Sequence, residues 1–283
     1  MNARIFVGDT RFDAIAAGDR GVAYGDGLFE TMRACRGNVP WWDAHWSRLQ
    51  RGAQQLRMTL PEAAQVREEA AQLLSGADAV LKLIVTRGAG GRGYAPDTDA
   101  TPTWILSQHS LPAESPGDGI AARWCETRLA LQPALAGIKH CNRLEQVLAR
   151  AEWDDTAMRD RDALEGLMRS TEGDVVGATA ANLFVLRDGR WLTPRIDRCG
   201  VAGVCRAWVL GELGASEVRL GVTEVETAEA VFLCNAVRGI LPVARLGGCT
   251  WPLHPQVSAL RERLAAAHPG FVINLAANNP ETT

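Results

Sequence analysis

Gly137-Ile138-Lys139-His140-Cys141-Asn142-Arg143-Leu144-Glu145-Gln146, near the middle of the chain, sets one lysine behind the apolar phrase Leu135-Ala136-Gly137-Ile138. Only His140 and Arg143 are charge partners close to Lys139 along the chain. Apolar surroundings favour the neutral amine by desolvation, and a neutral amine is what carbonyl chemistry requires. The bland alternative is a surface lysine with its stem laid on apolar atoms and its ammonium in water.

Upstream of that decapeptide, Leu111 to Gly119 reads LPAESPGDG, the densest cluster of Pro, Gly and polar residues before the middle of the chain. It predicts a hinge, with a domain over residues 1–113, a linker over 114–119 and a second domain over 120–283. In the first part, Ile5 to Val7 reads as a strand. Asp43 is placed to cap a helix running to about Met58 with Trp46, Leu49, Ala53 and Leu56 on one face, and Pro61 suits the first turn of the next helix. Ala79 to Thr86 and Thr103 to Gln108 have the length and β-branched content of buried strands, with a glycine-rich loop between them. In the second part, a hairpin spans Leu183 to Leu192 and turns on Asp188-Gly189. A helix over about Val204 to Leu213, a strand at Ala230 to Cys234 and a late helix at about Gln256 to Ala267 follow. Short strands alternating with helices predict mixed α and β structure.

The bulk composition narrows the partners. The 283 residues are 47% hydrophobic, enough for a substantial core without a metal or disulfide staple. The 30 basic and 33 acidic residues give a formal charge of −3 and form no block of one sign, which argues against nucleic acid. No apolar run approaches the roughly 20 residues needed to span a bilayer, and the N-terminal residues lack a signal-peptide hydrophobic region, so a soluble cytoplasmic protein is expected. Cys35, Cys125, Cys141, Cys199, Cys205, Cys234 and Cys249 form no C-x-x-C pair and read as reduced thiols. His45, His109, His140, His254 and His268 are scattered without ligand spacing, so no metal site is expected. No G-x-S-x-G elbow supports serine hydrolysis.

Two glycine-containing phrases are candidates for anion binding. Gly200-Val201-Ala202-Gly203-Val204-Cys205-Arg206 leads into a helix, where backbone N–H groups can approach a phosphate, although a plain turn before a helix is the commoner use of such a phrase. It matches neither a Walker loop nor G-x-G-x-x-G. Arg87-Gly88-Ala89-Gly90-Gly91-Arg92-Gly93-Tyr94 puts two guanidiniums and a phenol in a loop with four glycines in eight residues; it can offer an arginine fork to a carboxylate or be an ordinary exposed loop.

Read together, four phrases in order resemble the fold-type IV pyridoxal-phosphate enzymes, the group of branched-chain and D-amino-acid aminotransferases and aminodeoxychorismate lyase. They are Arg20-Gly21-Val22-Ala23-Tyr24-Gly25-Asp26-Gly27-Leu28-Phe29-Glu30-Thr31, then His45-Trp46-Ser47-Arg48-Leu49, then the decapeptide around Lys139, and finally Ala180-Ala181-Asn182-Leu183-Phe184. The likeness runs to Pro242-Val243, so it covers most of the chain. Within the group, the loop ending Arg92-Gly93-Tyr94 and the phrase around Lys139 look most like the lyase branch. Its members release pyruvate from 4-amino-4-deoxychorismate and leave 4-aminobenzoate for folate synthesis.

The resemblance implies an α/β chain of the α+β type, with a smaller N-terminal α/β domain, a larger C-terminal pseudo-barrel domain, and pyridoxal 5'-phosphate in the cleft between them. It also implies a homodimer. By position, Lys139 would hold the cofactor and Arg48 would bind its phosphate. Gly203, Val204, Cys205, Asn235, Ala236 and Val237 would add phosphate contacts, largely through backbone groups, and Asn182 would lie beside the cofactor. Phe29 and Thr31 would face the substrate, with Arg92 and Tyr94 offered to its carboxylates. The resemblance breaks at Gly177, five residues before Asn182, where a glutamate normally pairs with the pyridine nitrogen. Losing one charge-assisted hydrogen bond is worth about 1.5–3 kcal/mol. Glu172 or Asp174 is the alternative acid within the sequence neighbourhood. Two other readings therefore stand beside the lyase: an aminotransferase for D-amino or branched-chain amino acids, and a cofactor-binding protein with little catalysis. Cys205, beside the expected phosphate, is the thiol whose reactivity matters most.

Overall fold

The computed structural model describes residues 2–97, 99–154 and 162–271. The chain forms two compact units, Met1–Leu111 with Ile138–Arg143, and Pro112–Gly137 with Leu144–Thr283.

The first unit runs β1 (Asn2–Val7), β2 (Thr10–Phe12), α1 (Arg20–Tyr24), β3 (Gly27–Ala34), α2 (Trp42–Leu56), α3 (Ala63–Leu74), β4 (Ala79–Thr86) and β5 (Thr103–His109). Its strands form an antiparallel sheet in the order β2-β1-β5-β4-β3. Alternation decides which side chains meet the helices. On β3, Leu28, Glu30 and Met32 are buried, while Phe29 and Thr31 point to the half-open opposite face. Helix α2 packs closely on β3: a Cβ at Gly52 would lie 2.8 Å from the Leu28 side chain.

Two helix starts differ from the reading of the sequence. Helix α2 begins one residue before Asp43, because Trp41 takes a left-handed φ of 60° and becomes the N-cap; Asp43 lies in the first turn, where its charge still favours the helix dipole. Helix α3 begins at Ala63 with Glu62 at its N-cap, so Pro61 precedes the helix instead of lying inside its first turn.

Residues 138–143, which the sequence places within a 120–283 domain, group with the first unit because they line the free edge of β3. Phe29 N–H donates to Lys139 O at 2.9 Å and Cys141 N–H donates to Gly27 O at 2.9 Å.

The second unit contains β6 (Ile120–Leu129), α4 (Leu144–Ala151), β7 (Glu165–Ser170), β8 (Val175–Ala178), β9 (Asn182–Arg187), β10 (Arg190–Pro194), α5 (Val204–Leu213), β11 (Ser216–Val218), α6 (Val222–Glu226), β12 (Ala230–Asn235), β13 (Gly239–Leu246), β14 (Cys249–Thr250) and α7 (Pro255–Ala267). The mixed sheet has the order β11-β10-β9-β12-β13-β6-β7-β8, with β14 on β13. Strand β8, at one end of that order, also touches β9 and β10, so the sheet curls into a half-barrel. Leu167, Leu183, Val185, Val231, Leu233, Leu241 and Val243 fill its core. The β9–β10 hairpin turns on Asp188 (φ 48°) and Gly189 (φ 69°), the two successive left-handed residues that a tight hairpin demands.

Candidate active site

The Lys139 segment is fixed from several directions within the first unit. Besides its two backbone bonds to β3, Arg143 Nε donates to His140 O at 2.8 Å, and Asn142 Nδ2 donates to Gly25 O at 3.2 Å. Gly25 is the left-handed cap of α1 (φ 65°), and a Cβ there would meet the Asn142 amide at 2.5 Å, so glycine is required at that crossing. The neighbouring Asp26 accepts Arg20 Nε at 2.8 Å and Arg87 Nε at 2.7 Å. Desolvation opposes its ionisation, but the two guanidiniums hold its carboxyl below the ordinary range. The glycine-aspartate-glycine phrase thus braces the lysine segment.

Lys139 is partly buried, and its Nζ stands 4.2 Å from the centre of the Phe29 ring. Lys82, opposite Thr31 on β4, brings a second ammonium to within 5.5 Å of the same ring. Desolvation, reinforced by Arg48, Arg143 and Lys82 and opposed by Glu30, pulls the Lys139 amine down to about 7. The sequence expectation of a proton-poor amine holds, and the solvated surface lysine does not. The source of the charge differs from the expectation, since only Arg143 among the acting groups is near in sequence.

Glu30 and His45 are site residues that the sequence reading missed. Glu30 Oε1 accepts Arg48 Nε at 2.8 Å, and Oε2 receives Arg48 Nη2 and His45 Nδ1, the latter at 2.6 Å. Although burial opposes ionisation, the Arg48 charge and the bonds from His45 and Arg48 hold the Glu30 carboxyl at about 2. Burial depresses His45 against the pull of Glu30, so its ring is neutral, with Nδ1–H the donor to the carboxylate. The signal was available: a glutamate sits between Leu28 and Met32 on the buried face of a strand, and His45 and Arg48 lie three apart on the buried face of a helix.

The glycine loop is anchored rather than free. Arg20 Nη1 donates to Gly93 O at 3.0 Å, Arg20 Nη2 donates to Tyr94 O at 3.0 Å, and Gly93 N–H donates to Tyr24 Oη at 3.2 Å. Arg92 and Tyr94 themselves stand exposed, Tyr94 at 85%.

In the second unit, Gly203 is the N-cap of α5, and no side chain caps the helix. The first-turn N–H groups of Val204 and Cys205 therefore point beyond the helix end without intrahelical acceptors, as an anion cradle requires. A Cβ on Gly203 would collide with Asn182 Oδ1, and Asn182 Nδ2 donates to Val201 O at 2.9 Å. Asn182 thus shapes the cradle from the start of β9. Asn235 Oδ1 accepts the N–H of Val237 at 3.0 Å and of Arg238 at 2.8 Å, which shapes the turn carrying Ala236 and Val237. Cys205 is fully buried, and a hydrogen bond with Cys234, together with desolvation, raises its thiol well above the ordinary value. It is an inert thiol.

Gly177 lies in β8, where a Cβ would stand 3.0 Å from Ala181 O. Arg198 engages Glu172 directly and Asp174 at 3.7 Å, so both alternative acids are committed to an arginine. Among the described residues no group of three or more His, Cys, Asp or Glu side chains is placed to hold a metal.

The residues present fit pyridoxal phosphate. A proton-poor lysine lies among cations suited to a dianionic phosphate and carboxylates, and a glycine-shaped, uncapped helix start is available in the second unit.

Comparison with known proteins identifies the family. An aminodeoxychorismate lyase of Vibrio harveyi is 35% identical over 259 residues, 88% of this chain and 94% of that protein. The crystal structure of a 4-amino-4-deoxychorismate lyase from Pseudomonas aeruginosa superposes with a TM-score of 0.84 at 40% identity, covering 93% of this chain and 98% of the other. An Escherichia coli branched-chain amino acid aminotransferase shares the fold at a TM-score of 0.81 and 19% identity, over 97% of both chains. The model of the amino-transferase class IV family matches residues 27–246, most of the chain, and the protein belongs to that family.

Proposed function

We propose that this protein is a pyridoxal-phosphate-dependent lyase that converts 4-amino-4-deoxychorismate to 4-aminobenzoate and pyruvate. The observation that carries the reading is Lys139, an amine brought to about 7 among Arg48, Arg143 and Lys82. The choice of lyase within the family rests on relatives of that name at 35% and 40% identity over most of both chains, against 28% for a putative branched-chain aminotransferase.

Lys139 would hold the cofactor and Arg48 its phosphate, with the N–H groups of Gly203, Val204, Cys205 and Ala236 as further phosphate donors; the Val237 N–H, expected to join them, is instead donated to Asn235 Oδ1 and holds the turn. Asn182 and Asn235 shape those backbone segments. The chemistry such a cofactor supplies when bound is an electron-accepting ring conjugated with the substrate nitrogen. Lys139 Nζ, neutral in a large share of molecules at pH 7, takes the proton from the amine-bearing ring carbon. That electron pair enters the substrate ring, the bond from ring carbon to enolpyruvyl oxygen breaks, and the departing enolate takes up a proton to become pyruvate. The products gain an aromatic ring. Phe29 and Thr31 line the face beside the lysine, Lys82 adds a cation opposite Thr31, and Arg92 and Tyr94 are the loop groups offered to the substrate's two carboxylates.

A homodimer fits two exposed features. Leu144, Val147 and Leu148 form an apolar stripe on α4, 76%, 60% and 60% exposed, and Tyr94 projects into solvent from its anchored loop. Burial of that stripe against a second copy, and delivery of Arg92 and Tyr94 to the partner's site, would account for both. No helix among the described residues is long and apolar enough to cross a membrane. The free cysteines suit a reducing cytoplasm.

Gly177 favours a second reading, a cofactor-binding protein with little catalysis; an aminotransferase would use the same lysine. The deciding experiment follows pyruvate and 4-aminobenzoate from enzymatically generated aminodeoxychorismate, comparing the protein with Lys139→Ala. Equal amounts of both products from the parent and near-silence from the variant are expected. A parent that takes up cofactor yet releases neither product refutes the lyase, and loss of its visible colour with D-alanine would then identify an aminotransferase.

A further inference from the structure

We propose that Glu30 is a positioning residue for this site: its carboxylate grips Arg48 at two points, setting the direction of the Arg48 guanidinium, and is the buried countercharge to the cations gathered about Lys139. The proposal rests on the reading of Lys139 and Arg48 as the holders of the cofactor.

The geometry requires a carboxylate here. Arg48 and Glu30 are both buried, 6% and 2% exposed, and Arg48 Nε and Nη2 are directed at the two Glu30 oxygens. A bidentate pair fixes a guanidinium in plane and azimuth, which a single contact does not. Glu30 also occupies the residue next to Phe29, whose N–H holds the Lys139 carbonyl and whose ring lies against the Lys139 amine. One turn of edge strand therefore sets the position of the lysine and of the arginine together.

His45 completes the arrangement without adding charge. As its Nδ1–H is donated to Glu30, its Nε2 is an acceptor, buried and without a hydrogen-bond partner among the described residues. Protonating that nitrogen would place another cation beside Arg48 and Lys139, so the ring stays neutral. Glu30 is then the single carboxylate among the groups that act most strongly on Lys139, which are Arg48 from α2, Lys82 from β4, and Arg143 from the lysine's own segment.

The test uses the full chain freed of cofactor. Labelling of Lys139 by trinitrobenzenesulfonate is followed against pH by peptide mass spectrometry, and pyridoxal phosphate is titrated by tryptophan fluorescence. Removing a nearby opposite charge lowers an amine's midpoint by about one unit. In Glu30→Gln the labelling midpoint should fall by about that much, and cofactor affinity should weaken by about tenfold. Glu30→Asp keeps the charge and loses the two-point grip, so its midpoint should stay near that of the parent while cofactor affinity falls. A folded Glu30→Gln protein with the parent's midpoint overturns the proposal. If Glu30→Gln does not fold, Glu30→Asp decides: unchanged cofactor affinity in that variant overturns it. Both readouts are independent of pyruvate release, so failure of the lyase reading and failure of this one are separately visible.

Discussion

Lys139 is held to Phe29 twice: its carbonyl oxygen accepts the Phe29 N–H at 2.9 Å, and its Nζ lies 4.2 Å from the Phe29 ring centre. The first contact makes the lysine segment an extension of the β3 edge, and the second turns the amine toward the half-open face of the sheet. The ring face attracts an ammonium, yet desolvation and three nearby cations outweigh that attraction. A protonated Lys139 is therefore tolerated at a cost.

That cost makes stability depend on pH. The amine lies at about 7 in the folded protein against 10.5 ordinarily, so between those values the unfolded chain binds a proton that the folded chain has released. The lysine's contribution to stability accordingly rises from pH 7 to pH 10.5, and its full cost is present below pH 7. In cofactor-free protein, Lys139→Met should be more stable than the parent below pH 7, by on the order of 1–2 kcal/mol given the solvent that Lys139 still touches. The difference should vanish toward pH 10.5. Thermal melts of both proteins across that range check it, and a pH-independent difference would contradict the assigned amine.

At the start of α5, Gly203→Ala should damage the cradle without damaging the helix. The backbone there is extended, with φ −68° and ψ 144°, so alanine suffers no dihedral strain. Its Cβ meets Asn182 Oδ1, whose amide must swing away and release Val201 O. Overpacking of this kind costs about 1–3 kcal/mol. Weaker pyridoxal-phosphate binding, by about tenfold, is expected together with a lower Tm. Parent-like affinity in titration would show that the Asn182 contact does not shape the cradle.

Arg20 links the fold to the exposed loop, since one guanidinium reaches Asp26 and the carbonyls of Gly93 and Tyr94. Arg20→Leu should release residues 90–95 while also leaving Asp26 with Arg87 alone. Hydrogen exchange over that segment should accelerate. If Arg92 and Tyr94 act on substrate carboxylates, KM should rise more than kcat falls; an unchanged KM would remove that loop from substrate binding.

Local patterning made some of this molecule legible and left other parts hidden. Val204–Leu213 and Ala79–Thr86 are read at their observed limits because glycines and polar residues bound clear apolar runs. The apolar phrase before Lys139 foretells the proton-poor amine. The agents of that shift were hidden, because Arg48, Glu30 and Lys82 arrive through packing of α2 on β3 and pairing of β3 with β4, contacts separated by tens of residues. Glu30 in particular reads as an outward charge unless its slot between Leu28 and Met32 is taken literally. Asp43 was misread as a cap because left-handed Trp41 is a rare conformation for a bulky side chain.

Gly177 raises the question of how much acid the cofactor ring needs. A glutamate there adds a Cβ 3.0 Å from Ala181 O, so β8 must give by a few tenths of an ångström, and a stability cost of about 1 kcal/mol is expected. If residue 177 faces the ring nitrogen of the bound cofactor, as the proposed function has it, a charge-assisted hydrogen bond from a glutamate there would be worth about 1.5–3 kcal/mol, or about ten- to more than a hundredfold in rate when it acts fully in the transition state. Transamination needs that assistance, because the electron pair left by the departing proton has nowhere else to go. In the lyase reaction the pair moves through the substrate's own diene and expels the enolpyruvyl oxygen, with aromaticity as the outcome. Gly177→Glu should therefore accelerate any transamination of D-alanine by at least about tenfold and pyruvate release from aminodeoxychorismate by less than about threefold. Both rates are measured on the same two proteins at saturating cofactor. Equal acceleration of the two reactions would mean that the lyase leans on the ring nitrogen as heavily as an aminotransferase, and that Gly177 is a defect the protein carries rather than one its chemistry tolerates.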